Sequence, residues 1–165
     1  GRIDPIKNIH IMIEALRLVK EKGISFRFRV AGSSSGGNEG YLQKLKDVVA
    51  EYGLEEDVVF IGSLPFRKIP EFYGSADMYL NLSNTGSVDK TVLQAMASGL
   101  MPVVGNPAFT EILEDAYLVP LDSEAIADRI VELSQRQVDP TLREYVMKEH
   151  NLSVLITRLV KHIGS

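Results

Sequence analysis

The sequence predicts a doubly wound α/β domain, a parallel sheet with helices on both faces. Short apolar runs alternate with segments of helical period along the chain. Runs such as Val58–Ile61 and Pro102–Val104 are apolar throughout rather than at every second residue, as in strands buried on both faces. Glycines at 32, 62 and 105 close several of the runs. A length of 165 residues suits one such domain with a full core.

Asn8 to Lys22 carries Ile9, Ile13, Leu16 and Val19 on one helical stripe, with Asn8 as the expected cap and Gly23 as the stop. Phe26 to Ala31 reads as a strand, and Ser33 to Gly40 as a small polar loop, either a lid or a plain connector. Tyr41 to Tyr52 is an amphipathic helix with Leu42, Leu45, Val48 and Val49 inward and Gly53 behind it. Val58 to Ile61 is a short strand, Lys68 to Gly74 a short helix and Met78 to Leu82 the next strand. Val88 to Ser98 is a helix capped by Ser87, and Pro102 to Gly105 a strand. A short helix over Phe109 to Asp115 and a last strand over Tyr117 to Val119 are expected. Helices follow at Ser123–Arg136, Pro140–Glu149 and Ser153–Ile163. Crossovers between parallel strands should be right-handed.

Charge and composition narrow the function. There are 22 acidic and 18 basic residues, a formal net charge of −4, which argues against a general nucleic-acid binder. An anion site must then be local. Without cysteine, neither a disulfide nor a thiolate zinc site can form. This fits a reducing, cytoplasmic setting. No apolar run approaches the roughly 20 residues that span a bilayer. His10, His150 and His162 lie on expected helices without metal-ligand spacing or a nucleophile motif, so no metal site is expected. The opening Gly1-Arg2-Ile3-Asp4-Pro5 reads as the interior of a longer chain, so residues 1–165 are expected to be one domain of a larger two-domain protein.

Ligands of doubly wound sheets sit beyond the carboxyl ends of the strands, where the strand order reverses. A strand ahead of Gly1 would be the central one, with Met78–Leu82 beside it across that point. One facing loop then carries Arg2 and Lys7, the other Asn84, Thr85, Gly86 and Ser87. Arg2 offers a planar fork for phosphate oxygens and Lys7 a mobile point charge. Gly86 permits close backbone approach, and the helix start behind it offers unpaired N–H groups to a phosphate. Gln94, two turns in, has the reach to bond ribose hydroxyls or to stand in solvent. Solvated cations and an ordinary capped helix are the plain alternative; the pairing of the two loops favours the phosphate site. The Gly32–Gly40 loop lacks both common phosphate-loop spacings, and no D-x-D triplet offers a carboxylate clamp for a metal–nucleotide complex.

Taken together these residues resemble the nucleotide-sugar-binding C-terminal half of GT-B glycosyltransferases, and most closely the retaining enzymes of family 4, glycosyl transferases group 1. Gly1-Arg2 with Lys7-Asn8 is similar to that family's diphosphate-binding segment, and Val30-Ala31-Gly32 to its V-x-G strand end. Val59-Phe60-Ile61-Gly62 is similar to its V-x-F-x-G strand, and Ala76-Asp77 to its recurrent A-D pair. Leu93-Gln94-Ala95-Met96-Ala97-Ser98-Gly99 followed by Pro102-Val103-Val104 resembles L-E-A-M-A-x-G-x-P-V-V, the most specific of these segments.

The resemblance implies a Rossmann-like, three-layer α/β/α domain that binds a UDP- or GDP-linked sugar without a further cofactor. By it, Arg2 and Lys7 hold the donor diphosphate, with Gly32 close by. Thr91, Val92 and Leu93 add backbone contacts to phosphate or ribose, and Gln94 takes the ribose position. Ser63 and Leu64 lie by the base, and Asn84, Thr85, Gly86 and Ser87 approach the transferred sugar. The acceptor, a glycan, a lipid or a small molecule, would be bound through an N-terminal domain. The full-length protein would be cytoplasmic or peripheral to a membrane, and the isolated domain inactive. The family's paired glutamates eight positions apart fall here at Gly86 and Gln94; Thr85-Gly86-Ser87-Val88-Asp89-Lys90 resembles a subgroup's T-G-S-x-D-K. A non-catalytic nucleotide-sugar-binding module, degenerate at those two positions, is the alternative.

Overall fold

A computed structural model describes residues 1–34 and 39–150. A 3-10 turn at Pro5–Lys7 opens it, followed by α1 (Ile9–Glu21), β1 (Phe28–Ala31), α2 (Glu39–Glu51) and β2 (Val58–Gly62). A 3-10 turn at Phe66–Lys68 then leads into α3 (Ile69–Tyr73), β3 (Met78–Asn81), α4 (Lys90–Ala97) and β4 (Met101–Val104). Two more 3-10 turns, Pro107–Phe109 and Asp115–Tyr117, precede α5 (Ser123–Ser134) and α6 (Pro140–Glu149). The expected helix over Ser153–Ile163 and residues 35–38 of the Ser33–Gly40 loop lie outside the described residues.

The strands pair in parallel as β1 with β2 and β3 with β4. Single parallel bridges add Ile3 beside Ser34 and Leu118 beside Val104. All-parallel strands joined through helices are the predicted doubly wound α/β architecture. Pro102 sits opposite Tyr79 inside β4. Met101 and Gly105 donate to β3 at Asp77 and Asn81, so the alternate Pro102 turns its missing N–H away from β3 and breaks no bond with it.

Helix α1 shows why local sequence and packing agree. Ile9, Met12, Ile13, Ala15, Leu16 and Val19 are buried, the three-and-four spacing of an inward stripe. Each large apolar side chain so buried contributes about 1.5–3 kcal/mol. Ile9 and Ile13 join a cluster with Ile3, Val30, Leu45, Val49, Leu54 and Val58. Met12, Ala15, Leu16 and Val19 join a second cluster that includes Leu82, Met96, Val104, Phe109, Ile126 and Leu133. One helix thereby fastens both strand pairs.

Several expected boundaries shift. The strand expected from Phe26 begins at Phe28. The helix expected over Phe109–Asp115 is replaced by the two 3-10 turns; Pro107 opens the first, and Asn106 accepts from the Ala108 N–H at 3.0 Å. The strand expected over Tyr117–Val119 reduces to the Leu118 bridge, because Tyr117 still belongs to the second turn. Helix α4 starts at Lys90 rather than Val88, with Asp89 and not Ser87 in the cap position. Asn8 does flank α1, but its side chain makes no cap bond there.

Candidate functional site

The loop after β3 and the segment before α1 meet at the carboxyl ends of the strands. Asn8 adopts a left-handed backbone, φ 51°, and its Nδ2 donates to the Leu82 carbonyl at 2.8 Å. That bond explains the absent cap: the amide is committed across the switch point instead. One residue earlier, the Lys7 ammonium lies 3.1 Å from Asp89 Oδ2 and 3.3 Å from Oδ1. Of the two opening-turn cations, Lys7 is the one this contact brings to the α4 entrance. An opening-turn cation touches the entrance of α4.

Asp89 is the hub. Asn81 Nδ2 donates to Oδ2 at 2.9 Å, and the Ser83 hydroxyl donates to the same oxygen. The Ser83 N–H donates to Asn81 Oδ1 at 3.3 Å, which fixes the Asn81 amide. Burial alone would raise the Asp89 carboxyl. Hydrogen bonds from Ser83, Asn81 and Lys7, with the Lys7 charge, outweigh it and hold the group below its ordinary value of 3.8. Asn81, Ser83 and Asn106 are the buried polar side chains of the described residues, and all three serve these loops. Asn106 Nδ2 donates to the Ser87 carbonyl at 2.9 Å, tying β4 to the loop before α4.

The other predicted residues divide by position. Arg2 is exposed at the same end, with no hydrogen-bond or ion-pair partner among the described residues. Asn84, Thr85, Gly86 and Ser87 are exposed. The Thr85 hydroxyl sits 3.3 Å from Ser87 Oγ, a small self-bonded turn. Gly86 has φ +67° and open space where a Cβ would stand, so the glycine serves the turn and leaves room above it. Within α4, Val92 is fully buried in the core and only its backbone is available, Thr91 and Leu93 are half-buried, and Gln94 is exposed. The Thr91 carbonyl accepts from the Tyr73 hydroxyl at 3.3 Å. Gly32 ends β1 directly against Gly1: a Cβ on Gly32 would lie 1.6 Å from the Gly1 carbonyl oxygen. Ser63 and Leu64 follow β2, one strand further out, and among the described residues no hydrogen bond or ion pair joins them to the Lys7–Asp89 cluster.

Local sequence signals missed Asn8, Asn81, Ser83, Asn106 and Asp89 as working parts. The available hint was polar residues at the carboxyl ends of otherwise apolar strands. Chemically, the arrangement offers an exposed guanidinium, a half-buried ammonium with a built-in carboxylate partner, and the first N–H groups of α4, which lack intrahelical acceptors. Such a set is chemically suited to an anion. Among the described residues no group of acidic, His or Cys side chains could hold a metal ion, and no helix is long and apolar enough to cross a membrane.

Comparisons with known proteins agree with this geometry. Residues 1–136 match the protein-family model described as Glycosyl transferases group 1. The putative colanic acid biosynthesis glycosyltransferase WcaL of Escherichia coli is 31% identical over 151 residues, covering 84% of this chain and 36% of that protein. The amylovoran biosynthesis glycosyltransferase AmsK of Erwinia amylovora is likewise 31% identical, over 84% of this chain and 36% of its own length. Among solved structures, Anabaena HepE in complex with UDP superposes with a TM-score of 0.87 at 20% identity, over 99% of this chain and 47% of that one. The C-terminal domain of the group 1 glycosyl transferase LpcC of Francisella tularensis superposes with a TM-score of 0.77 at 27% identity, over 92% of this chain and 84% of that domain. The chain thus spans 36% of the length of each of these two curated relatives.

Proposed function

The chain belongs to the glycosyl transferases group 1 family, and from that premise we propose that residues 1–165 form the donor-substrate domain of a larger retaining GT-B glycosyltransferase of family 4. The domain binds a UDP- or GDP-linked sugar by its diphosphate and needs no metal or further cofactor. The observation that carries this reading is the Lys7 ammonium held 3.1 Å from Asp89 at the entrance of α4. It supports a cleft in which Arg2, Lys7 and the α4 N–H groups surround one diphosphate. As the bond from sugar to phosphate breaks, negative charge grows on the departing diphosphate. Fixed donors already aimed there stabilise it without reorganising. Thr91, Val92 and Leu93 contribute backbone, Gln94 meets the ribose, Ser63 and Leu64 flank the base, and Gly32 admits the ligand beside Gly1. Asn84, Thr85, Gly86 and Ser87 face the sugar. The acceptor, a glycan, lipid or small molecule, is held by an N-terminal domain of the full-length protein, which works in the cytoplasm or at a membrane surface.

The test is a panel of UDP- and GDP-sugars offered to the full-length protein, with Lys7→Ala beside it. Transfer from one donor is expected, with its KM raised about tenfold or more in the variant, the size of one charge-assisted phosphate contact. Residues 1–165 alone should bind nucleotide weakly and transfer nothing; turnover by them contradicts the two-domain reading. A second reading, a non-catalytic nucleotide-sugar module, is favoured by Gly86 and Gln94, which stand where the family places glutamates. Gln94→Glu in the full-length protein separates the two. A large gain in transfer supports decay of an ancestral site, and a loss supports a working variant.

A further inference from the structure

Both ends of the Lys7 side chain are fixed, and one loop fixes them. The backbone end sits in the Pro5–Lys7 3-10 turn. There the Ile6 N–H donates to Asp4 Oδ1 at 3.1 Å, and the Lys7 N–H to the Asp4 carbonyl at 3.0 Å. Asn8 then turns left-handed, and its amide reaches the Leu82 carbonyl at the start of the loop after β3. The ammonium end rests on Asp89, where that loop meets α4. Asp89 cannot follow the lysine. Its Oδ2 accepts from Asn81 Nδ2 at 2.9 Å and from the Ser83 hydroxyl. Asn81 is 4% exposed and Ser83 fully buried, so neither can swing away. Asn106 holds the loop just ahead of Asp89 through the Ser87 carbonyl. The carboxylate is therefore the anchor and the ammonium the part it holds. Between the anchors the loop is open, with nothing within 4 Å of where a Cβ on Gly86 would stand.

Shielding sets this pair apart. The Lys7 and Asp89 side chains are 25% and 18% exposed. Lys22 and Asp128, joined at 2.9 Å at the far end of α1, are 46% and 69% exposed. A pair in water holds neither partner in place, because both charges stay hydrated and mobile. A pair partly out of water, with further donors on its carboxylate, does hold its cation. A carboxylate beside an anion site also repels the ligand, so the two effects must be weighed. Three donors converge on Asp89 Oδ2 and offset its charge. The Lys7 ammonium has three N–H groups. Asp89 takes them from one side, which leaves a donor for a ligand on the other. Fixing the rotatable bonds of a free lysine on a phosphate would weaken binding about tenfold or more. Here folding has already ordered them, and positioning outweighs repulsion.

On the reading that this cleft holds the donor diphosphate, we propose that Asp89 is its positioning residue. Anchored by Asn81 and Ser83, Asp89 holds the Lys7 ammonium at the entrance of α4. The lysine then meets the diphosphate as a fixed donor and not as a mobile charge. Asp89 itself touches no substrate atom and acts only through Lys7.

The test is a double-mutant cycle on the full-length protein, read as the dissociation constants of uridine and guanosine diphosphate. Asp89→Asn keeps the shape and removes the charge. It should weaken the nucleotide that binds about tenfold, as should Lys7→Ala. Because Asp89 acts through Lys7, the double variant should bind no more weakly than Lys7→Ala alone. With the donor sugar, Asp89→Asn should raise KM and lower kcat together, since Lys7 also meets the charge growing on the departing diphosphate. A tie that only holds the fold would lower the active fraction and leave KM alone. Should Asp89→Asn not fold, Asp89→Glu takes its place in the cycle. It keeps the charge and moves it by one methylene, and the same non-additive loss is expected. Tighter or equal binding in the Asp89 variant overturns the proposal, because repulsion then governs or the pair is structural. A double variant whose loss is the product of the two single losses overturns it too, as does an equal loss in Asp128→Asn at the exposed pair. If the unsubstituted protein binds neither nucleotide, the donor reading falls and this one with it. Binding that ignores Asp89 overturns this one alone.

Discussion

At the scale of single residues, the site is organised by Asp89. Its carboxylate gathers Lys7, Asn81 and Ser83, and its pKa is depressed below 3.8. A depressed carboxyl stabilises the fold above its ordinary pKa, and that contribution is lost as pH falls through the folded value. Asp89→Asn keeps the shape and removes the charge. It should cost about 1–2 kcal/mol at neutral pH, and the gap between the two thermal midpoints should close as the pH drops below about 4. A gap that stays constant into acid would show that the charge contributes nothing. Local spacing read Asn8 as a cap and placed Asp89 inside the helix rather than at its entrance. Their partners, Leu82 and Lys7, lie 74 and 82 residues away along the chain. Side-chain commitments across a fold leave no periodic trace.

At the scale of elements, strands and long helices were legible because each carries its own period and its own stop. Helix α1 is the clear case, with its inward stripe at Ile9, Ile13, Leu16 and Val19. What failed was short and set by packing: the turns around Phe109 and Tyr117, and the first turn of α4. The loop entering α4 is held from outside by Asn106, so its helix starts only after Asp89 has turned to Lys7. Gly32 makes a testable case. Its sequence reading was a strand end near a ligand, and its structural reason is the Gly1 carbonyl, 1.6 Å from where a Cβ would be. Gly32→Ala must push two backbones apart. It should lower stability by about 2 kcal/mol or more, whereas Gly53→Ala, at φ +62° with open space around it, should cost about 1 kcal/mol from backbone strain alone. Equal midpoints for the two variants in denaturant would remove the steric reading.

At the scale of the molecule, two apolar clusters share one helix. Ile13 belongs to the cluster under β1 and β2, Leu16 to the cluster under β3 and β4. Ile13→Ala and Leu16→Ala should each cost about 2–5 kcal/mol, and each should shift one common unfolding transition rather than splitting it. Calorimetry that resolves two separate transitions would show that α1 does not couple the halves. The doubly wound plan was visible from alternation alone. The division of the sheet into two strand pairs was not, since pairing depends on which backbone lies beside which.

Gly1 also has a bearing on how residues 1–165 are handled on their own. Its nitrogen points along the β1 edge toward the Ala31 carbonyl, so an affinity handle or fluorescent label fused there enters the sheet before it reaches water. The exposed turn at Glu55 and Glu56 is the quieter place for an insertion.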